Sequence, residues 1–259
     1  MKQKVAVVIP VYREHLTPNE QLSIRQCVTL LSHYDIILLA PEGLDSKSYS
    51  AFYPKFKYVY FHKDFFTSTI AYSNLLLSTQ FYTKFEKYQY ILIHQTDAYL
   101  FRDELALWCE KGYDYIGAPW ISEASRKKNA KHYQEATNSR YAIIRFLKRN
   151  LNFSKNKDFF VGNGGLSLRK VQSFKAISQK LSWIGVDFNR NSHNEDIIWA
   201  IYVPIFFPFF KVPAYTEAIA FSFEENPTLC HTLNSLRLPF GCHAWEKYEP
   251  DFWKQYIPF

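Results

Sequence analysis

Short apolar runs recur along the chain at a spacing that leaves little choice of architecture. Val5 to Ile9, Ile36 to Ala40, Tyr58 to Phe61 and Tyr90 to Ile93 are each four or five residues long, rich in β-branched or aromatic side chains. An unbroken apolar run of this length suits a strand buried on both faces, as in a parallel sheet. Helix signals lie between the runs. Thr17-Pro18-Asn19-Glu20 matches a capping box with proline at the first helical position, and predicts a helix to about Ser32 that buries Leu22, Cys27, Leu30 and Leu31. Pro41-Glu-Gly43 turns the chain, and Thr67 or Ser68 starts a helix that continues through Leu75 to about Lys84. Asp103 caps another that Gly112 ends, before a strand over Tyr113 to Gly117. This alternation predicts an α/β fold with a mostly parallel, doubly wound sheet over the first 120 residues.

The order then changes. The formal charge is +7, yet the segment from Arg126 to Lys157 holds ten Lys or Arg against one acid, Glu135. That segment carries +9 and the rest of the chain −2. A local basic patch suits phosphate-bearing partners such as anionic lipid heads, a lipid diphosphate or nucleic acid; a solvated surface insertion is the plain alternative. One helix is expected inside it, around Tyr141 to Asn150, with Ile143, Ile144, Phe146 and Leu147 as its apolar stripe. Phe159 to Leu168 resume as strand and turn, a helix starts near Val171, and another begins at Asn194-Glu195-Asp196. With 259 residues, 47% of them hydrophobic, the chain can bury one large core. Cys27, Cys109, Cys230 and Cys242 have no metal or redox spacing and fit a reducing compartment. The longest apolar stretch, Trp199 to Phe210, contains Pro204 and Pro208 and is too short to span a bilayer.

Four clusters can carry chemistry. Tyr88 to Phe101 reads as a buried strand running into His94, Gln95 and Asp97, and open parallel sheets bind ligands beyond their strands' carboxyl ends. There Asp97 holds a cation on a diphosphate, or simply caps a turn. Gly162-Asn163-Gly164-Gly165 lets backbone approach a ligand, or makes a tight turn; neither standard phosphate-loop spacing is present. Glu195-Asp196 is a helix-capping pair or a general base at a cleft mouth. His243, between Gly241 and Trp245, is a metal ligand or a packed imidazole.

In order, these clusters resemble the GT-A class of glycosyltransferases, and within it an uncharacterised bacterial family. The motifs that carry the resemblance are Ile9-Pro-Val-Tyr-Arg13, Gln95-Thr-Asp97, Gly117-Ala-Pro-Trp120, Gly162-Asn-Gly-Gly165, Asn194-Glu-Asp196 and Gly241-Cys-His243-Ala-Trp245. They cover nearly the whole chain except about residues 121–157. The resemblance implies a single GT-A-like, Rossmann-like domain over residues 1–259, its central sheet flanked by helices. It divides into a nucleotide-binding half (1–120), a basic insertion (121–157) and an acceptor or catalytic half (158–259).

The implied activity is transfer of a hexose from a nucleotide-sugar, a UDP-sugar, to a saccharide or lipid-linked acceptor hydroxyl, with inversion. In such enzymes a D-x-D motif holds Mn²⁺ or Mg²⁺ on the diphosphate. Here Gln95 stands at the first acid, so Asp97 is the charged ligand; a neutral amide anchors a hard cation less well. His243 matches the late histidine of these sites, and Asp, His and the diphosphate together make a Mn²⁺ shell. Asp196 matches the catalytic base, with Glu195 beside it on sugar hydroxyls or exchanging roles with it. Asn163, Gly164 and Gly165 line the donor sugar. Pro10, Tyr12 and Arg13 sit against the nucleotide, Tyr12 on the base and Arg13 at a phosphate, with Asn74 a further nucleotide-side candidate. Trp120 stacks on a sugar or packs in the core. Residues 126–157 face a membrane surface or a lipid-linked acceptor, which places the protein in the cytoplasm with peripheral contact to the inner face of the membrane. Two other classes compete. A nucleotidyltransferase of similar fold usually has a basic glycine-rich loop after its first strand, which Pro10-Val-Tyr-Arg13 lacks. A nucleic-acid-binding protein would use the basic segment and aromatics but leaves the order of acids and His243 unexplained, so no nucleic acid is expected.

Overall fold

The apolar runs bury both of their faces. In the computed structural model, which describes residues 3–138, 159–184 and 193–259, β1 (Gln3–Pro10) turns Ala6 and Val8 into one core cluster and Val5, Val7 and Ile9 into another. β2 (Asp35–Pro41) and β4 (Tyr88–His94) split their side chains in the same way, Ile91 and Ile93 to one face and Tyr90 and Leu92 to the other. One face is covered by α3 (Thr69–Leu77), α4 (Thr79–Thr83), α7 (Val171–Ser178) and a helical run that begins with α8 (Glu195–Ile197). The other carries α1 (Pro18–Leu31), α2 (Lys47–Phe52), α5 (Leu105–Glu110) and α10 (Tyr215–Phe221). An apolar strand between two helix layers has no wet side, which is why its pattern is continuous.

The central sheet has the order β3-β2-β1-β4-β7-β6, with β3 at Lys57–Phe61, β6 at Tyr115–Ile116 and β7 at Leu166–Lys170. β3, β2, β1 and β4 run parallel; β7 is antiparallel to both β4 and β6. The mostly parallel α/β expectation therefore holds, with one reversed strand inserted near the edge. A second sheet, β5-β9-β8, joins Ala98–Leu100, Gly241–His243 and Ser222–Phe223. Its register sets Ala98 opposite His243 and Phe223 opposite Cys242. The residue before Ala98 and the residue after Phe223 are thereby brought to His243.

Several boundaries differ from the sequence reading for local reasons. The helix expected from Ser68 to Lys84 is two helices, because Ser78 ends α3 in an extended conformation and its hydroxyl accepts from Phe81 N at 3.3 Å to start α4. In α1, Cys27 and Leu31 are buried as expected, but Ile24 replaces Leu22 and Leu30, which are half-buried. The strand expected over Tyr113 to Gly117 shortens to two residues, since Ala118 O accepts from both Gly162 N and Asn163 N at 3.1 Å and the chain bends there. The run after α8 passes through a π turn, Ile198–Tyr202, before α9 (Val203–Phe206); Pro204 has no N–H to give back to the preceding turn. The basic segment begins as α6 (Glu123–Asn138), while the helix expected over Tyr141 to Asn150 lies outside the described residues. All four cysteines are free and buried. Among the described residues, no helix is long and apolar enough to cross a membrane.

The capping box at α1 is formed: Glu20 N donates to Thr17 Oγ1 at 3.3 Å, and Thr17 N donates to Glu20 Oε2 at 2.8 Å. Thr17→Ala removes the first of these. It is expected to lower stability by about 1 kcal/mol, read as a shifted urea midpoint at unchanged slope.

Candidate functional site

β2 lies to one side of β1 and β4 to the other, so the loops that leave β1 and β4 diverge. Such switch points are where open α/β sheets bind ligands. A cleft of about 670 Å³ opens here, with Pro10, Tyr12 and Arg13 on one bank and Gln95, Thr96 and Asp97 on the other. Phe66 to Thr69 and Tyr72, around the start of α3, and Glu246 close the remaining sides. Glu20 braces both banks. Its Oε1 accepts from Arg13 Nη2 at 2.6 Å and from Thr96 Oγ1 at 2.9 Å, while Oε2 completes the helix cap. Tyr12 is 57% exposed, with the Arg13 guanidinium 5.1 Å from its ring centre.

Asp97 leads into β5 and meets the end of β9. His243 Nε2 lies 3.1 Å from Asp97 Oδ1 and 3.1 Å from Gln95 Oε1, and Nδ1 lies 3.2 Å from Glu224 Oε1. Burial by itself would lower the His243 pKa, but Asp97 and Glu224 outweigh it and raise it to about 10. Burial would likewise raise Asp97, and His243 holds it below the usual carboxylate range. The geometry fits a divalent cation. A metal-binding imidazole commonly gives its second N–H to a carboxylate, which fixes the ring and raises its basicity. Glu224 stands in that position, behind the nitrogen that faces Asp97. Asp97, Gln95 and His243 supply carboxylate, amide and imidazole donors, a set suited to Mn²⁺ with diphosphate oxygens. His94 is not part of this group: it is buried at the end of β4, and burial lowers its pKa to about 4.

The glycine-rich turn presses on the same imidazole. A Cβ on Gly165 would collide with the His243 ring, and one on Gly164 would collide with Glu195 Oε1. Asn163 Oδ1 accepts from Gly165 N at 2.9 Å, and Gln95 N donates to Gly165 O at 2.9 Å, so the turn is laced to the β4 loop. Behind it, Arg169 is fully buried. It forms a two-point pair with Glu195, Nη1 to Oε2 at 3.0 Å and Nη2 to Oε1 at 2.7 Å, and its Nε donates to Ser167 Oγ at 3.1 Å. Asp196, half-buried at the start of α8, accepts from Ile197 N at 2.8 Å. Burial, then the nearby Glu195 and Glu224, raise its pKa to about 7.

Pro10, Tyr12, Arg13, Gln95 and Asp97 thus share the cleft, and Asp97 and His243 come together as a pair. Asn163, Gly164, Gly165, Glu195 and Asp196 form the adjoining layer rather than the cleft lining. Asn74 sits farther along α3 and does not line the cleft either. Both Glu195 oxygens are engaged by Arg169. Trp120 is 7% exposed and packs in the core, which decides for the structural alternative. Sequence reasoning missed Glu20, Glu224 and Arg169 as site residues. None of the three had a local signal; β7 reads Leu-Ser-Leu-Arg-Lys, in which Arg169 alternates with Ser167 on what looks like a polar face.

The sequence profile of one family, described as "Protein of unknown function (DUF5672)", matches residues 55–243. No protein among curated sequences matches the chain. Solved structures do. The apo structure of the WbbM bifunctional glycosyltransferase superimposes with a TM-score of 0.53 at 14% identity, over 96% of this chain and 47% of that one, so this chain spans about half of WbbM. Mouse xyloside xylosyltransferase 1 gives 0.50 at 13% identity, over 94% of this chain and 98% of the other. The galactosyltransferase LgtC, solved with donor and acceptor sugar analogues, gives 0.51 at 11% identity, over 92% and 86%. At these identities the likeness shows the fold, which is of the GT-A type.

Glu195→Gln leaves the Arg169 charge buried without its counter-ion. The expected loss is about 3–5 kcal/mol of unfolding free energy, measured by urea denaturation. A loss below 1 kcal/mol would mean that the pair does not hold the site together.

Proposed function

The chain belongs to the family described as "Protein of unknown function (DUF5672)", and from its site we propose that it is a glycosyltransferase moving a hexose from a nucleotide-sugar to an acceptor hydroxyl with inversion. The observation that carries this reading is the alignment of Asp97, His243 and Glu224 at the mouth of a switch-point cleft large enough for a nucleotide. UDP is the proposed nucleotide and Mn²⁺ or Mg²⁺ the proposed ion. Asp97 and His243, with Gln95, would hold the ion, and it would stabilise charge developing on the departing nucleoside diphosphate. Pro10 and Tyr12 flank the base side, Arg13 is at hand for a phosphate, and Asn74, on α3, is a further candidate on the nucleotide side. Asn163, Gly164 and Gly165 bound the donor sugar. Residues 1–120 are the proposed nucleotide half and 158–259 the acceptor half, with 121–157 as a basic insertion between them.

Asp196 takes the proton. The acceptor oxygen attacks the anomeric carbon as the bond from that carbon to the diphosphate breaks, and the hydroxyl proton passes to Asp196. A carboxyl group raised to about 7 is far better matched to this task than an ordinary aspartate. Glu195, clamped by Arg169, orients the start of α8 and keeps Asp196 aimed.

Asp196→Asn is expected to reduce turnover by roughly 10²–10⁴-fold with donor binding retained, whereas Asp97→Asn should weaken donor and metal binding. The base must be deprotonated, so wild-type turnover should rise with pH through about 7 and level off above it. Donor-dependent release of UDP, followed across pH in both variants, tests the assignment; unchanged turnover in both removes it. The acceptor is proposed to be a saccharide, or a lipid-linked one drawn by the exposed Arg126, Lys127 and Lys128 of α6. Charge reversal at these three should weaken binding to anionic-lipid vesicles carrying such an acceptor. Equal binding would restrict the proposal to soluble saccharides.

A further inference from the structure

A second group of metal-ligating side chains converges away from the cleft. His132 and Glu135 lie one turn apart on α6, and His193 lies just ahead of α8; one ligand atom from each is within 4.8 Å of the others. His132 Nδ1 is 3.4 Å from Glu135 Oε2. Ligands bound to tetrahedral zinc at about 2.0–2.2 Å stand roughly 3.3–3.5 Å from one another, so this pair already has ligand spacing. The His132 and His193 rings meet edge to face, with centroids 4.9 Å apart. The Tyr202 hydroxyl stands 3.5 Å from His193 Nε2, and among the described residues the facing cations are Lys131, 3.9 Å from Glu135, and Lys128 near His193. The Lys131 pair is exposed, so it holds Glu135 weakly against a divalent ion.

We propose that His132, Glu135 and His193 form a zinc site that fastens α6 to the segment entering α8. Two imidazoles and one carboxylate suit Zn²⁺ rather than the hard cations Mg²⁺ and Ca²⁺, and the fourth position takes water. The site is separate from Asp97 and His243 and does not depend on the sugar-transfer reading. Its effect is mechanical: the ion ties the basic helix to the chain three residues ahead of Asp196.

The test is isothermal titration of the full chain with zinc chloride, using wild type, Asp97→Asn, His193→Ala and Glu135→Gln, with circular dichroism to verify folding. Wild type and Asp97→Asn are expected to share this zinc equivalent. His193→Ala should lose it, and Glu135→Gln should bind zinc at least tenfold more weakly, since even outer-shell partners cost about 10–100-fold. Co²⁺ should give the visible bands of tetrahedral coordination in wild type and not in His193→Ala. Where His193→Ala is misfolded, Glu135→Gln decides, because that side chain is exposed on α6. Wild-type zinc stoichiometry and affinity in a folded His193→Ala, or in Glu135→Gln, overturns the proposal. So does a wild type that binds no zinc.

Discussion

A guanidinium with no solvent exposure is tolerable only where every part of its charge is met, and Arg169 sets that requirement for the whole molecule. Its two-point pair with Glu195 joins β7 of the central sheet to the first residue of α8. Tyr115 and Phe174 lie against the guanidinium at 5.5 and 5.6 Å from their ring centres, which brings in β6 and α7 as well. The glycine turn runs over the top of the pair, too close for any side chain at Gly164. Elements far apart in sequence are therefore held to one another by a single buried charge. The catalytic candidate Asp196 is placed by being next to Glu195 and by its own bond from Ile197 N.

A line of polar groups leads outward from that charge. Arg169 and Glu195 are dry; Asp196 is half-buried beside them; Glu224 and His243 bridge to Asp97 at the cleft. The environment changes along the line, and Asp97 and Asp196 differ with it. Asp97 is held low by the imidazole, while Asp196, with burial and two acids around it, is held high. Two carboxyl groups pushed in opposite directions within one site are a pattern expected of acid–base chemistry.

The strands were readable because an apolar run between two helix layers leaves a continuous pattern, and the start of α1 because Thr17, Pro18 and Glu20 each do a distinct local job. Asp97 and His243 were readable as a pair through the resemblance in motif order. What the sequence concealed was mostly non-local. Glu20 looks like a helix cap and is one; nothing nearby says that it also holds Arg13 and Thr96. Glu224 is ordinary until the register of β8 on β9 sets it behind His243. Ser78 reads as a helix-interior residue, and only the structure shows it ending one helix and capping the next. The reversal of β7 is equally silent, because a strand buried on both faces has the same pattern in either direction.

The small sheet has a consequence for how the protein comes into being. Gln95 and His243 touch across 148 residues of chain, and β9 pairs with strands that begin at Ala98 and Ser222. Contacts of such long sequence separation form late, after local helices and neighbouring strands. During synthesis, the parallel strands from Val5 to Ile93 emerge long before the residues that complete the cleft. A chain halted before Gly241 carries a near-complete central sheet and half a site: Asp97 is present, with no imidazole to meet it.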